Sequence, residues 1–144
     1  MAAGIFNSIS VPAPGWLRLK FHDGVVIRPA SMARRMVPIA ESLADYVVKL
    51  VRATRHNSGS APDFIKKYVN YGGSVRAAQF IVLASKARAL AHRRYNVAYE
   101  DILALAIPVL RHRILLNFHA ESDRIDSDEI LRQLLEHMPP PSKA

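Results

Sequence analysis

From Ser31 onward the apolar positions recur with the period of helices rather than strands. Between Ile39 and Arg55, the residues Leu43, Tyr46, Val47, Leu50 and Val51 fall at i, i+3, i+4, i+7 and i+8. That spacing places them on one face of a helix. Pro38 stands just ahead, where a first turn tolerates a missing N–H. His56-Asn57-Ser58-Gly59-Ser60 reads as a loop. Pro62–Tyr71 predicts a short helix with Phe64, Ile65, Tyr68 and Val69 inward, and Phe64, Tyr68 and Tyr71 as core aromatics. Gly72-Gly73 breaks it, and Ser74 suits the N-cap of the next helix. That helix should run from Val75 to about His92. Its many alanines (77, 78, 84, 87, 89 and 91) favour helix and let a neighbour approach closely. Lys86, Arg88, Arg93 and Arg94 cluster near its C-terminal end, where cations suit the helix dipole.

A further helix follows Asn96-Val97, with Glu100 and Asp101 as first-turn charges rather than an acid–base pair, and Pro108 stopping or kinking it. Val109–Phe118 predicts a short helix and then an extended segment. Asp126 and Glu129 have capping-box spacing and open a last helix through Met138, ended by Pro139-Pro140-Pro141.

Residues 1–30 differ in character. Pro12, Pro14 and Gly15 punctuate them, Leu17, Leu19 and Phe21 alternate with Arg18, Lys20 and His22, and Asp23-Gly24 is a favoured hairpin turn pair before Val25-Val26-Ile27. A short N-terminal β-hairpin is the expectation. Two strands alone are marginal in water, so this piece must pack on something or stay mobile. The predicted fold is all-α, a small bundle of four or five helices with that hairpin. The expected organisation is 1–30 as an atypical N-terminal segment, 31–138 as the helical domain and 139–144 as a flexible tail.

Composition narrows the class. Half of the 144 residues are hydrophobic, enough for a folded core. There is no cysteine, which excludes disulfides, thiolate metal sites and a cysteine nucleophile, and fits a cytoplasmic location. No stretch approaches the ~18 apolar residues of a membrane span. The net charge of +8 is uneven: residues 1–115 hold 17 Lys/Arg against 6 Asp/Glu, and residues 116–144 hold 3 against 6. A basic body suggests an anionic partner, whether nucleotide, nucleic acid or an acidic protein face, beside the plain alternative of a soluble basic surface.

Arg76 is the residue that stands out. By pattern it is the second residue of the long helix, where a cation opposes the helix dipole. Free N–H groups, the dipole and a guanidinium together make a phosphate site. The alternative is a solvated arginine, or one paired with a carboxylate such as Asp63. Among the six histidines, His112 and His119 could share a helix face, but no carboxylate cluster completes a zinc site, so no metal is expected. No catalytic residue is expected either: the serines lack a nucleophile-elbow setting.

Three segments carry a resemblance. Leu50-Val51-Arg52-Ala53-Thr54-Arg55, then Tyr71-Gly72-Gly73-Ser74-Val75-Arg76-Ala77 with Lys86-Ala87-Arg88-Ala89-Leu90, then Pro108 through Phe118 (Pro-Val-Leu-Arg-His-Arg-Ile-Leu-Leu-Asn-Phe) resemble, in order and spacing, the lid domain of MoxR-type AAA+ ATPases. The likeness covers about Ala33 to Met138. It implies an AAA+ lid-type bundle and makes Arg76 the sensor-2 arginine, which contacts nucleotide phosphates across the cleft between lid and core. Gly73, Ser74 and Arg55 are candidate supporting residues; Arg52 and Arg55 end the first helix, where pairing with the C-terminal dipole is a sufficient alternative. Arg111, His112 and Arg113 are family-like, with a structural or a subunit-interface role equally open.

The resemblance also implies chaperone-like assembly of partner proteins, including von Willebrand-A-type clients, and docking on an AAA+ core or a neighbouring subunit through apolar helix faces. No glycine here is followed by lysine, so the phosphate loop G-x-x-x-x-G-K-[ST] is absent, and Asp128-Glu129 follows no hydrophobic strand. ATP and Mg²⁺ are therefore expected only in the context of a core, and no hydrolysis from this chain alone. The alternative class is a small basic helical module binding nucleic acid or protein. The spread of its basic residues over several elements makes nucleic acid the weaker reading.

Overall fold

The computed structural model describes residues 37–141. The hairpin expected within residues 1–30 lies outside the described residues. The elements are α1 (Glu41–Ala53), α2 (Asp63–Tyr68), β1 (Val69–Tyr71), α3 (Val75–Ala91), α4 (Tyr99–Leu110), β2 (Leu115–Leu116), α5 (Phe118–Ser122) and α6 (Ser127–His137).

The helical periodicity of the sequence gives the core directly. The buried residues of α1 include Leu43, Tyr46, Val47, Leu50 and Val51, the stripe its spacing predicts. α3 packs most extensively on α4 and next on α1, and α6 covers both α4 and α1. Leu50, Ile81, Ile102, Leu110, Ile130, Leu131 and Leu134 of these helices are fully buried, as is Ile65 of α2. Each contributes about 1.5–3 kcal/mol relative to exposure. Ala77, Ser85 and Ala89 are the small buried positions of α3, and they let α1 and α4 approach its backbone.

Three expectations are corrected. The helix from Pro62 ends at Tyr68, and Val69–Tyr71 is a strand. It pairs antiparallel with Leu115–Leu116, with Val69 opposite Leu116 and Tyr71 opposite Leu115. Asn70 is the extra residue of the resulting bulge, which adds local twist. On a strand, Tyr71 no longer shares a face with Phe64 and Tyr68: they pack partly against the core, whereas Tyr71 is 65% exposed. Second, Pro108 neither stops nor ends its helix, which continues to Leu110. Pro108 and Ala104, whose carbonyl loses its helical donor, are both exposed. The lost bond therefore faces water instead of the core. Third, Ser74 has the extended backbone of an N-cap but its side chain makes no capping bond.

Two other helix starts carry side-chain caps. Asp126 Oδ1 accepts the Glu129 amide at 2.7 Å, the capping bond its spacing predicts. Asn117 caps α5 by accepting from His119 and Ala120, and its amide side chain donates to the Lys67 carbonyl at 2.7 Å, tying α5 to α2.

Candidate functional site

The N-terminus of α3 is held from below by the C-terminus of α1. Thr54 is fully buried. Its hydroxyl donates to the Val51 carbonyl at 2.6 Å and accepts the Gly73 amide at 2.8 Å. Arg55 Nε donates to the Gly73 carbonyl at 2.9 Å. A Cβ on Gly72 would overlap the Thr54 carbonyl and stand 2.7 Å from the Arg55 nitrogen, so only glycine permits this approach. A Cβ on Gly73 would press on Leu110, Val51 and Ala77 at 3.2–3.4 Å.

Arg76 follows in the first turn of α3, exposed. Asp63, the carboxylate weighed as its partner, bonds Lys66 at 3.2 Å instead. Among the described residues no acid pairs with Arg76, and the first turn of α3 contains no acidic residue. Ala77 donates to the Ser74 carbonyl at 2.9 Å. The amides of Val75 and Arg76 precede the helical bonding pattern. Arg76 thus shares one short segment with Ser74 and Gly73, and Arg55 is tied to that segment through Gly73.

Apolar side chains flank this end. Val75 is 67% exposed, Phe80 49% and Leu83 39% on α3, and Leu115 lies beside Tyr71 on the outer face of the sheet. The Arg113 guanidinium lies over the Phe80 ring at 4.5 Å. Arg111 instead reaches Asp128 at 2.6 Å, joining α4 to α6. His112 follows the end of α4 and His119 lies in α5, so they share no helix face. Among the described residues no group of His, Asp and Glu could hold a metal ion. No helix among the described residues is long and apolar enough to cross a membrane.

The opposite end of α3 carries chemistry that the sequence did not disclose. Asp101, expected as a solvated first-turn charge, is fully buried. It accepts two bonds from the Arg94 guanidinium at 2.7 and 2.5 Å, one from the Ala98 amide at 2.9 Å, and lies 3.5 Å from Arg88. Burial pushes its carboxyl up, but the bonds from Arg94 and Ala98 and the charges of Arg94 and Arg88 outweigh that and hold it below the usual range. The available signal was local: an acid three residues after Ala98 can accept the N-cap amide.

Arg94 reaches Asp101 because α3 ends in a left-handed Arg93, φ 56°. The amides of Arg93 and Arg94 bond the carbonyls of Leu90 and Ala89, the pairing that closes a helix around a left-handed residue. A separate surface cluster joins α2 to α5: Lys67 bonds Tyr68 and Asp123, and Tyr68 bonds Asp123. Lys67 is raised by its bond to Tyr68 and then to Asp123, and Asp123 is lowered by its bonds from Lys67 and Tyr68.

A small helical bundle with a two-stranded sheet is the architecture of an AAA+ lid domain. Residues 64–134 match the AAA lid domain family. The lid is of the MoxR type. The chain is 33% identical over 98 residues to chaperone MoxR1 of Mycobacterium tuberculosis, covering 68% of this chain and 26% of that protein. It is 30% identical over 95 residues to the uncharacterised protein YeaC of Bacillus subtilis, covering 66% of this chain and 27% of that protein. A crystal structure of a presumed ATPase from Cytophaga hutchinsonii superimposes with a TM-score of 0.72 at 35% identity, over 78% of this chain and 34% of the other. The chain thus spans about a quarter of the length of the curated relatives it matches.

Proposed function

We propose that this lid closes over ATP bound to an AAA+ core, supplies Arg76 as the sensor-2 arginine, and couples nucleotide state to rearrangement of neighbouring subunits. The observation that carries this reading is Arg76 itself. A cation in the first turn of α3, with no acid beside it among the described residues and no side-chain cap on the helix, opposes the fold's own electrostatics. A phosphate would reverse that penalty, accepting from the Val75 and Arg76 amides and from the guanidinium. These groups fit the phosphates of a nucleotide. The Mg²⁺ that accompanies them needs carboxylates and phosphate oxygens, and those would come from the core. When bound, ATP supplies the phosphoryl group for transfer, while this chain's residues bind and orient it.

The exposed apolar set of Val75, Phe80, Leu83 and Leu115 flanking that helix would pack on the core or on an adjacent subunit. The likeness to a protein named as a chaperone, MoxR1, supports a chaperone-like role; assembly of partner proteins, von Willebrand-A-type clients among them, and a cytoplasmic setting are what the resemblance to the family implies. Alone, the site is weak. Exposed contacts at a helix end are worth about 0.3–1 kcal/mol each, against about 8 kcal/mol for micromolar affinity.

Calorimetric titration of ADP and ATP–Mg²⁺ against the chain, with phosphate release followed on the same samples, tests the reading. Millimolar binding abolished by Arg76→Ala, without turnover, is the expected outcome. Turnover by the chain alone, or binding that ignores Arg76→Ala, would overturn it.

A further inference from the structure

Capping and ligand binding compete for the same groups at a helix start. An N-cap side chain orders the first turn by accepting the amide of the second or third helical residue, and that amide is then lost to a ligand. The start of α3 has no such cap, and an uncapped first turn frays. Yet the chain just ahead of it is fixed at both polar groups of one residue. The Gly73 amide is bonded to Thr54 Oγ1 at 2.8 Å and the Gly73 carbonyl to Arg55 Nε at 2.9 Å. The Thr54 hydroxyl is itself directed by its 2.6 Å bond to Val51 in the last turn of α1. Gly72 rests on the Thr54–Arg55 peptide, closer than any side chain would allow. All these contacts fall before the helix, so they order its start and occupy neither the Val75 nor the Arg76 amide.

We infer that Thr54 and Arg55 are positioning residues for Arg76: they hold the start of α3 in place of an N-cap, and so keep its first amides and guanidinium aimed and unoccupied. This rests on the reading of Arg76 as a phosphate contact. Neither Thr54 nor Arg55 touches the nucleotide in this scheme. The consequence is a split between the hydroxyl and the bulk of Thr54. Valine keeps the volume but leaves the buried Gly73 amide without an acceptor, whereas serine keeps the acceptor.

The test is an NMR titration of ADP into the full 144-residue chain, following the Val75 and Arg76 amides, with hydrogen exchange measured at residues 74–77. Thr54→Val should weaken ADP binding about fivefold, the equivalent of one hydrogen bond, and speed exchange at the start of α3. Thr54→Ser should restore both. Leu131→Ala, which opens a cavity under α6, should lower stability while leaving ADP binding within about twofold. A folded Thr54→Val chain that binds ADP like the parent would overturn the inference and leave the phosphate reading standing. No response to ADP in the parent chain would instead remove the phosphate reading, and this inference with it. If Thr54→Val fails to fold, Arg55→Ala, which deletes one half-buried bond to Gly73, is judged by the same criteria.

Discussion

The two ends of α3 are built on opposite terms. At the C-terminal end the Arg93 and Arg94 amides close the last turn, and Arg94 and Arg88 surround a fully buried Asp101 at the start of α4. At the N-terminal end the cap is missing, the charge has the wrong sign for the dipole, and order is imposed from outside through Gly72 and Gly73. The first end is closed by backbone bonds and a buried ion pair, at the cost of a left-handed Arg93. The second has no side-chain cap and sets a cation against the dipole, a departure from local rules that a phosphate would offset on the proposed reading.

Substitutions at the two ends should therefore behave differently. The largest effect is expected at Gly72→Ala, whose methyl has backbone, not a flexible side chain, in its way. A loss of about 3 kcal/mol, read from chemical denaturation, is the expected outcome, and loss of ADP binding should accompany it.

Asp101→Asn comes next, at about 1–3 kcal/mol, with no effect on ADP binding in the folded protein. Its pH signature has a definite sign. The Asp101 carboxyl is held below its usual value, so its contribution is complete above the unfolded value near ~3.9. It is lost as pH falls through the lower folded value. Denaturation midpoints measured from pH 6 to pH 2 should fall less steeply in Asp101→Asn than in the parent.

Smaller still is Arg93→Gly. A left-handed φ of 56° strains any side chain at that position, and glycine removes the strain. A gain of about 0.5–1 kcal/mol is expected in thermal unfolding.

The smallest stability change is the most informative. Arg76→Glu places an acid in the first turn of α3 and should stabilise the chain by about 0.3–1 kcal/mol, while eliminating the response to ADP. A destabilised Arg76→Glu chain would show that Arg76 serves the fold.

How far the sequence disclosed this arrangement depends on where each residue's partners lie. The α1 stripe, the extent of α3 and the Asp126 cap rest on neighbours within a few positions, and all were legible. Arg76 stood out for the same reason, because its conflict with the dipole is local. Tyr71 was read as helix because its strand partner Leu115 lies far along the chain. Pro108 was read as stopping or kinking its helix because a sequence does not say that its side of α4 faces water. Asp101 and Thr54 carried no signal of burial. One depends on arginines contributed by α3 and the loop after it, the other on a glycine 19 residues away.

The most direct measurement is the map of backbone amide shifts as ADP is titrated into the chain. Shifts concentrated at Gly73–Ala77 and absent in Arg76→Ala are the expected result. Shifts centred instead on the basic residues at the other end of α3, Arg88, Arg93 and Arg94, would contradict it.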